Sequence, residues 1–175
     1  MEKKKKKKVN GKKKGNSFEL KIAHEVANAI KATYGKYVRR TPGSGSLLTR
    51  SDLWVDPKFR HLCNLYIECK KQERWSWDQY FNDSEWVPFT WFQESNAKLS
   101  VDPDYSTETS IPCLVFTKNR SKIFAMLSLY DFKNHLPVDF KDISFHWIIM
   151  LNTHSQREFV VCDWSDLIDM YKVKE

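Results

Sequence analysis

The sequence has no apolar run long enough to cross a membrane, and its N-terminus lacks the apolar segment that a secretory signal requires. It also contains no internal repeat. The sequence therefore predicts neither a membrane-spanning nor a secreted protein. We expect a soluble, intracellular protein with no membrane partner.

Cysteine is scarce, and no two cysteines form a C-x-x-C pair. The four residues are Cys63, Cys69, Cys113 and Cys162. Their neighbours are apolar and strand-like, so the expected state is a buried free thiol. A zinc site at His61, Cys63 and Cys69 would lack a fourth ligand, which argues against structural zinc.

Positive charge is concentrated at the start of the chain. The protein of 175 residues has a formal charge of +7, but residues 1–14 alone hold nine lysines and one glutamate. Residues 15–175 therefore sum to about −1. Dense like charge without apolar periodicity predicts a disordered basic tail over 1–14, which either contacts phosphates, keeps the protein soluble or serves as a targeting signal. The remainder, 15–175, has the length of a single domain.

Charged residues alternate near the end of a short apolar segment, 65–71. In an extended strand, Glu68 and Lys70 point to one side and Cys69 points to the other. If Asp52 begins a neighbouring strand, its carboxylate can lie beside that of Glu68, and paired carboxylates suit Mg²⁺. The same residues also fit an exposed ion pair at a strand end, so the pattern by itself leaves both interpretations open.

A helix is predicted upstream of this segment. Its apolar face consists of Phe18, Ile22, Val26, Ala29 and Ile30. Asn16 or Ser17 is the expected N-cap, and the helix runs to about Ala32. Glu19 falls in the first turn, where the helix dipole favours a carboxylate whether or not it has a further role.

A strand at 37–40 and a flexible Gly/Ser loop at 41–46 follow the helix. Arg39, Arg40 and Arg50 flank this loop. The loop either approaches a phosphate backbone closely or connects two elements at the surface.

Taken in order, these motifs resemble the PD-(D/E)xK nuclease superfamily. They are Lys-Gly-x-x-x-Glu at 14–19, Arg-x-Pro-x-Ser at 40–44, Ser-Asp at 51–52 and Tyr-Ile-Glu-Cys-Lys at 66–70. Within the superfamily, the pattern is similar to that of the archaeal-type Holliday junction resolvases, which also occur in phages. The likeness covers about Lys14 to Lys71 and continues more loosely to about Leu129.

The resemblance implies roles for individual residues. Glu19, Asp52 and Glu68 would bind the metal ion, with the backbone carbonyl of Cys69 as a further ligand. The catalytic set implied in this way is Glu19, Ser44, Asp52, Glu68 and Lys70. The residues expected to contact DNA are Lys12, Lys13, Lys14, Arg39, Arg40, Arg50 and Lys71.

The resemblance also implies an activity. It indicates an endodeoxyribonuclease that uses Mg²⁺, or Mn²⁺ as a substitute, and leaves a 5′-phosphate. A homodimer of such subunits would resolve a four-way (Holliday) junction by paired symmetric nicks. Two alternatives stay open: another repair or restriction-type nuclease of the superfamily, and a non-catalytic DNA-binding module of the same fold.

The remaining elements predict the fold class. They are a helix at 87–99, strands at 111–117, 123–129, 147–151 and 159–162, and a closing helix at 164–171. Their order predicts an α/β protein with a restriction-endonuclease-like central mixed β-sheet flanked by α-helices.

Tryptophan is abundant, with seven residues. A core or interface position is favoured for Trp54, Trp147 and Trp164. For Trp75, Trp77 and Trp86, stacking on unpaired bases and packing in a core are equally compatible with the sequence.

Overall fold

A five-stranded mixed β-sheet forms the centre of the computed structural model, which describes residues 11–42, 49–82, 86–138 and 143–173. The strands are β3 (Leu65–Lys71), β4 (Ile111–Thr117), β5 (Phe124–Ser128), β6 (Trp147–Asn152) and β7 (Arg157–Asp163). Their order across the sheet is β3-β4-β5-β7-β6. β3 and β4 are parallel, and the other neighbours are antiparallel. The predicted α/β class with a mixed central sheet is confirmed.

Two further strands form a separate antiparallel pair, and helices cover both faces of the large sheet. The pair is β1 (Val38–Arg40) and β2 (Leu53–Val55). The helices are α1 (Gly11–Ala29), α2 (Trp77–Asn82), α3 (Val87–Leu99), α4 (Leu129–Asn134) and α5 (Trp164–Asp169). Residues of α1, α4 and α5 share one hydrophobic cluster, and residues of α2 and α3 pack in the other.

The alternation along the central strands divides the core into these two clusters. Cys113 and Val115 of β4 point into the cluster under α1, whereas Leu114 and Phe116 point into the cluster under α3. The first cluster is mainly aliphatic and contains all four cysteines, which are buried free thiols as predicted. Burial raises the pKa of the Cys63 thiol to about 11, so this thiol stays neutral at physiological pH.

The second cluster is mainly aromatic and contains several of the tryptophans. Trp75 and Trp86 are buried in it, which supports the core interpretation for both. Trp77 is half-buried and stacks on Trp86 with ring centroids 5.3 Å apart. On the other face, Trp164 is buried and Trp147 is half-buried against the aliphatic cluster, while Trp54 of β2 is half-buried.

The start of α1 differs from the prediction. Residues 11–14 are helical, so the expectation of a disordered tail extending to Lys14 was wrong for these residues, and residues 1–10 lie outside the described part. Asn16 and Ser17 are inside the helix, and the Ser17 hydroxyl donates to the Lys14 carbonyl at 3.0 Å rather than capping. Lysine is a good helix former, and one more turn on a packed helix adds a hydrogen bond for each residue that it fixes.

The end of α1 also differs from the prediction by a few residues. The helix ends at Ala29 rather than near Ala32, because Lys31 adopts a φ of 50°, which a right-handed helix cannot continue. The short helices α2 and α4 were not predicted, since six residues contain too little of the 3.6-residue period to reveal a helix. No helix in the described ranges is long and apolar enough to cross a membrane.

Candidate active site

The second half of β3 carries a buried glutamate and a lysine on the same face. Glu68 is 1% exposed, and Lys70 Nζ lies 2.7 Å from Glu68 Oε1. Both side chains lie on the face covered by α3, while Cys69 packs in the opposite cluster, as the predicted alternation requires. A carboxylate this deeply buried needs donors and counter-charge to remain ionised.

Asp52 is bound to the outer edge of β3. Its backbone N–H donates to the carbonyl of Ile67 at 3.2 Å, and its Oδ2 accepts the backbone N–H of Cys69 at 2.7 Å. Asp52 is 5% exposed and stands directly before β2. Because the N–H and C=O of one strand residue point to the same side, the Cys69 carbonyl faces the edge where Asp52 lies.

Glu19 approaches the site from α1. Burial, together with the charges of Asp52 and Glu68, raises the pKa of Glu19 to about 7, against the opposing charges of Arg40 and Lys70. Arg40 of β1 reaches Glu19 Oε2 with its guanidinium at 3.4 Å. One of the arginines expected to contact DNA therefore forms an ion pair inside the site.

Lys70 is a cation in this arrangement. Burial lowers the pKa of Lys70, but the charge and hydrogen bond of Glu68, together with the charges of Asp52 and Glu94, raise it by more, so the pKa lies above its ordinary value. Without bound metal or DNA, the ammonium therefore keeps its proton at neutral pH. It can donate hydrogen bonds and compensate negative charge, whereas it is poorly suited to remove a proton from water.

A second lysine, Lys98, contacts Glu68, and no sequence pattern indicated this contact. Lys98 Nζ lies 2.8 Å from Glu68 Oε1 and 2.8 Å from Glu68 Oε2. It stands in the last turn of α3, with a side chain 14% exposed. The helix was predicted with the same bounds, but its sequence does not reveal that its C-terminal turn packs over β3. The only indication in the sequence that Lys98 lies near the sheet was that it precedes Leu99, an apolar residue expected to face the sheet.

The carboxylates fit a divalent metal ion in their chemistry. Glu19, Asp52 and the Cys69 carbonyl offer hard oxygen ligands, and a cation would compensate the burial of Glu19 and its repulsion from Asp52 and Glu68, which raise its pKa. Within the described ranges, however, no three His, Cys, Asp or Glu side chains are already arranged to hold a metal ion. The Glu68 oxygens accept hydrogen bonds from two lysines instead.

The other residues predicted to contact DNA are distributed over α1, β1, β3 and the segment that precedes β2. Lys12, Lys13 and Lys14 lie in α1, the helix that carries Glu19. The guanidinium of Arg39 lies over the Trp54 ring, 4.3 Å from its centroid. The Arg50 guanidinium forms an ion pair with Asp104, with Nη2 3.8 Å from Oδ2. Lys71 is half-buried at the end of β3. Ser44 lies outside the described residues.

Comparison with protein-family models gives a match over most of the chain. A family model described as "Phage putative PDDEXK endonuclease" matches residues 10–175, which is almost the whole chain. Searches of the curated proteins and of the solved structures found no match. The matched range includes each of the charged residues assembled at β3.

Proposed function

This chain belongs to the phage PDDEXK endonuclease family, and from that premise we propose that it is a Mg²⁺-dependent endonuclease that resolves four-way DNA junctions. The family makes it a nuclease, and nucleases of this superfamily generally use divalent metal ions. The observation that carries the proposal is the convergence of Glu19, Asp52, Glu68 and Lys70 from three separate elements.

We propose that Glu19, Asp52, Glu68 and the Cys69 carbonyl hold the metal ion. A divalent ion at this position supplies Lewis-acid stabilisation of the phosphate and favours ionisation of a water molecule. Mn²⁺ is expected to substitute for Mg²⁺, since both are bound by oxygen ligands. Asp52 is fixed by the Cys69 amide, so its position does not depend on the metal.

The protein groups would then act on the phosphodiester as follows. Lys70 remains charged and donates hydrogen bonds to the attacking water or to the phosphate oxygens, whose negative charge grows in the transition state. Arg40 limits the repulsion between Glu19 and the approaching phosphate. Hydrolysis would leave a 5′-phosphate and a 3′-hydroxyl, so the nicked strands could be ligated.

The proposal includes binding of branched DNA by basic side chains outside the metal site. Arg39 is exposed and its guanidinium is held by stacking on Trp54, a geometry suited to a phosphate contact or to stacking on a base. Lys13 extends from the first turn of α1 and Lys71 from the end of β3, so the basic residues flank the elements that carry Glu19 and Glu68.

Paired nicking requires a homodimer, and we propose β6 as its contact surface. β6 ends the strand order, and in the described residues no strand pairs with its outer edge. Ile148, Ile149 and Leu151 are each more than 40% exposed on this strand. A long apolar edge strand without charge is normally protected from association, so its exposure favours a partner. Replacing Ile149 by Lys should convert the dimer to monomer in sedimentation velocity measurements.

The test of the proposed function compares two DNA substrates of identical sequence, a synthetic four-way junction and a linear duplex, with Mg²⁺ and with chelator. Wild type is expected to introduce paired symmetric nicks in the junction, and Glu68→Ala is expected to cut neither substrate. Equal cutting of both substrates would retain the nuclease and reject the resolvase. Metal-independent binding without cutting would instead indicate a DNA-binding module.

A further inference from the structure

Glu68 has more positive charge around it than one carboxylate requires. Lys70 Nζ binds Oε1 at 2.7 Å, and Lys98 Nζ binds both oxygens at 2.8 Å. Glu94 Oε2 lies 4.0 Å from Lys70 Nζ with a side chain that is 54% exposed, and the charge of Asp52 also acts on Lys70. Two ammonium groups therefore lie within hydrogen-bonding distance of a single buried carboxylate.

The position of Lys98 is that of a cation bound to both oxygens of the carboxylate. A carboxylate offers about four lone-pair sites. Lys70 uses one on Oε1, and Lys98 uses one on each oxygen, which leaves a single site on Oε2. A metal ion that binds Glu68 through both oxygens must occupy the place where the Lys98 ammonium lies.

Lys98 can leave Glu68 at small structural cost. Its ammonium stands at the end of a four-carbon stem, and its backbone belongs to the last turn of α3. Glu94 precedes it by one helical turn, in the order that favours an i, i+4 ion pair. A displaced ammonium therefore has an alternative carboxylate within its reach, and Lys70 remains to compensate Glu68.

We propose that Lys98 is a positioning residue that occupies the Glu68 carboxylate until a divalent metal ion displaces it, so that competition with this ammonium limits metal affinity. This inference rests on the proposed metal-dependent function. Lys98 binds both oxygens of the buried carboxylate and fixes its orientation in the metal-free protein. When the metal ion binds, the ammonium moves away from the carboxylate oxygens.

The inference is tested by Mn²⁺ binding to the full chain without DNA, measured by calorimetry at pH 8. Lys98→Met removes the charge and keeps the chain length, so Mn²⁺ should bind about tenfold more tightly than to wild type. Lys98→Arg keeps a cation that can bind both oxygens, so its affinity should stay within about threefold of wild type. Lys122→Met removes an exposed lysine paired with Asp163 at 2.7 Å and serves as the matched control.

The possible outcomes separate this inference from the proposed function. Absence of Mn²⁺ binding in wild type and in both neutral variants of Lys98 would overturn both. Wild type that binds Mn²⁺ through Glu68, with Lys98→Met binding equally or more weakly, would overturn the inference alone. Lys98→Gln provides a second neutral side chain if the methionine variant does not fold, and thermal unfolding of each variant identifies that case. Tighter binding in either neutral variant, with wild-type affinity in Lys98→Arg, supports the inference.

Discussion

The two glutamates of the site differ in the number of cationic partners that contact them. Glu68, on the strand side, is contacted by two ammonium groups at 2.7 and 2.8 Å. Glu19, on the helix side, has one arginine at 3.4 Å, and burial, together with the charges of Asp52 and Glu68, raises its pKa to about 7. Glu68 therefore has two cationic partners within hydrogen-bonding distance, whereas Glu19 has one cationic partner and lies near two other carboxylates.

This difference shows how the two sides of the site would contribute to catalysis. The strand side is preorganised, because its carboxylate is fixed and compensated before any ligand binds. The helix side favours either a proton or a metal ion, since both reduce the repulsion among the three acids. We expect variants on the two sides to fail in different ways.

The largest effect is expected from Glu68→Gln, which removes the central charge of the strand side. The two lysines would remain without their carboxylate partner, and the proposed metal ligand would be lost. Mg²⁺-dependent cleavage under single-turnover conditions should fall by about a thousandfold or more. Glu94→Gln changes the exposed acid of α3 and should retain at least about a third of wild-type activity. Equal loss in both variants would contradict a special role of Glu68.

Lys70→Met is expected to have the next largest effect. The variant keeps the length of the side chain but removes the donor that the raised pKa keeps charged. The rate constant for cleavage should fall by about a hundredfold, while DNA affinity changes only a few-fold. Lys122→Met again provides the control. A large loss of DNA affinity with an unchanged rate constant would move Lys70 from catalysis to binding.

The charge of Glu19 on the helix side can be tested through the pH dependence of stability, measured in the presence of chelator. The pKa of Glu19 is raised from 4.5 to about 7 in the folded state. The folded protein therefore binds more protons than the unfolded chain between these values, and its stability should fall as pH rises through this range. Relative to Glu19→Gln, wild type should lose up to about 3 kcal/mol between pH 4.5 and 7.

Chemical denaturation of wild type, Glu19→Gln and the exposed control Glu158→Gln at several pH values measures this difference. The free energy of unfolding of the control should change with pH as that of wild type does. If the stability of Glu19→Gln changes with pH as that of wild type does, the pKa of Glu19 is not raised in the folded state, and the comparison between the two glutamates fails.

The smallest effect concerns DNA binding away from the metal. Arg39→Ala removes the guanidinium stacked on Trp54. The slope of log affinity against log salt concentration should decrease by about one, because one phosphate contact is lost. Arg157→Ala, an exposed arginine of β7, should leave the slope unchanged. An unchanged slope in Arg39→Ala would place DNA elsewhere on the surface.

The sequence could predict the elements that local patterns encode. The alternation of Glu68, Cys69 and Lys70 places two charges on one face of a strand, and the structure shows the same arrangement. Strand β4 and helix α3 also have the predicted bounds. These features depend on residues close together in the chain, so a single segment contains the information.

The contacts that set the charge balance were not predictable in this way. Lys98 reaches Glu68 only because α3 packs over β3, and Arg40 reaches Glu19 only because β1 lies beside α1. Such pairs depend on tertiary packing between distant segments, and the lysine was not distinguishable from a solvated helix residue. The helical start at Gly11 was missed for a related reason, since packing of the later turns supports a lysine-rich first turn.

The most direct test is a crystal structure of the full chain with Mn²⁺, in which anomalous scattering locates the ion. We expect a peak within about 2.2 Å of carboxylate oxygens of Glu19, Asp52 and Glu68, with the Lys98 ammonium displaced from Glu68. A peak at another place, or well-ordered carboxylates without any peak at saturating Mn²⁺, would contradict a metal-dependent nuclease site at this edge of the sheet.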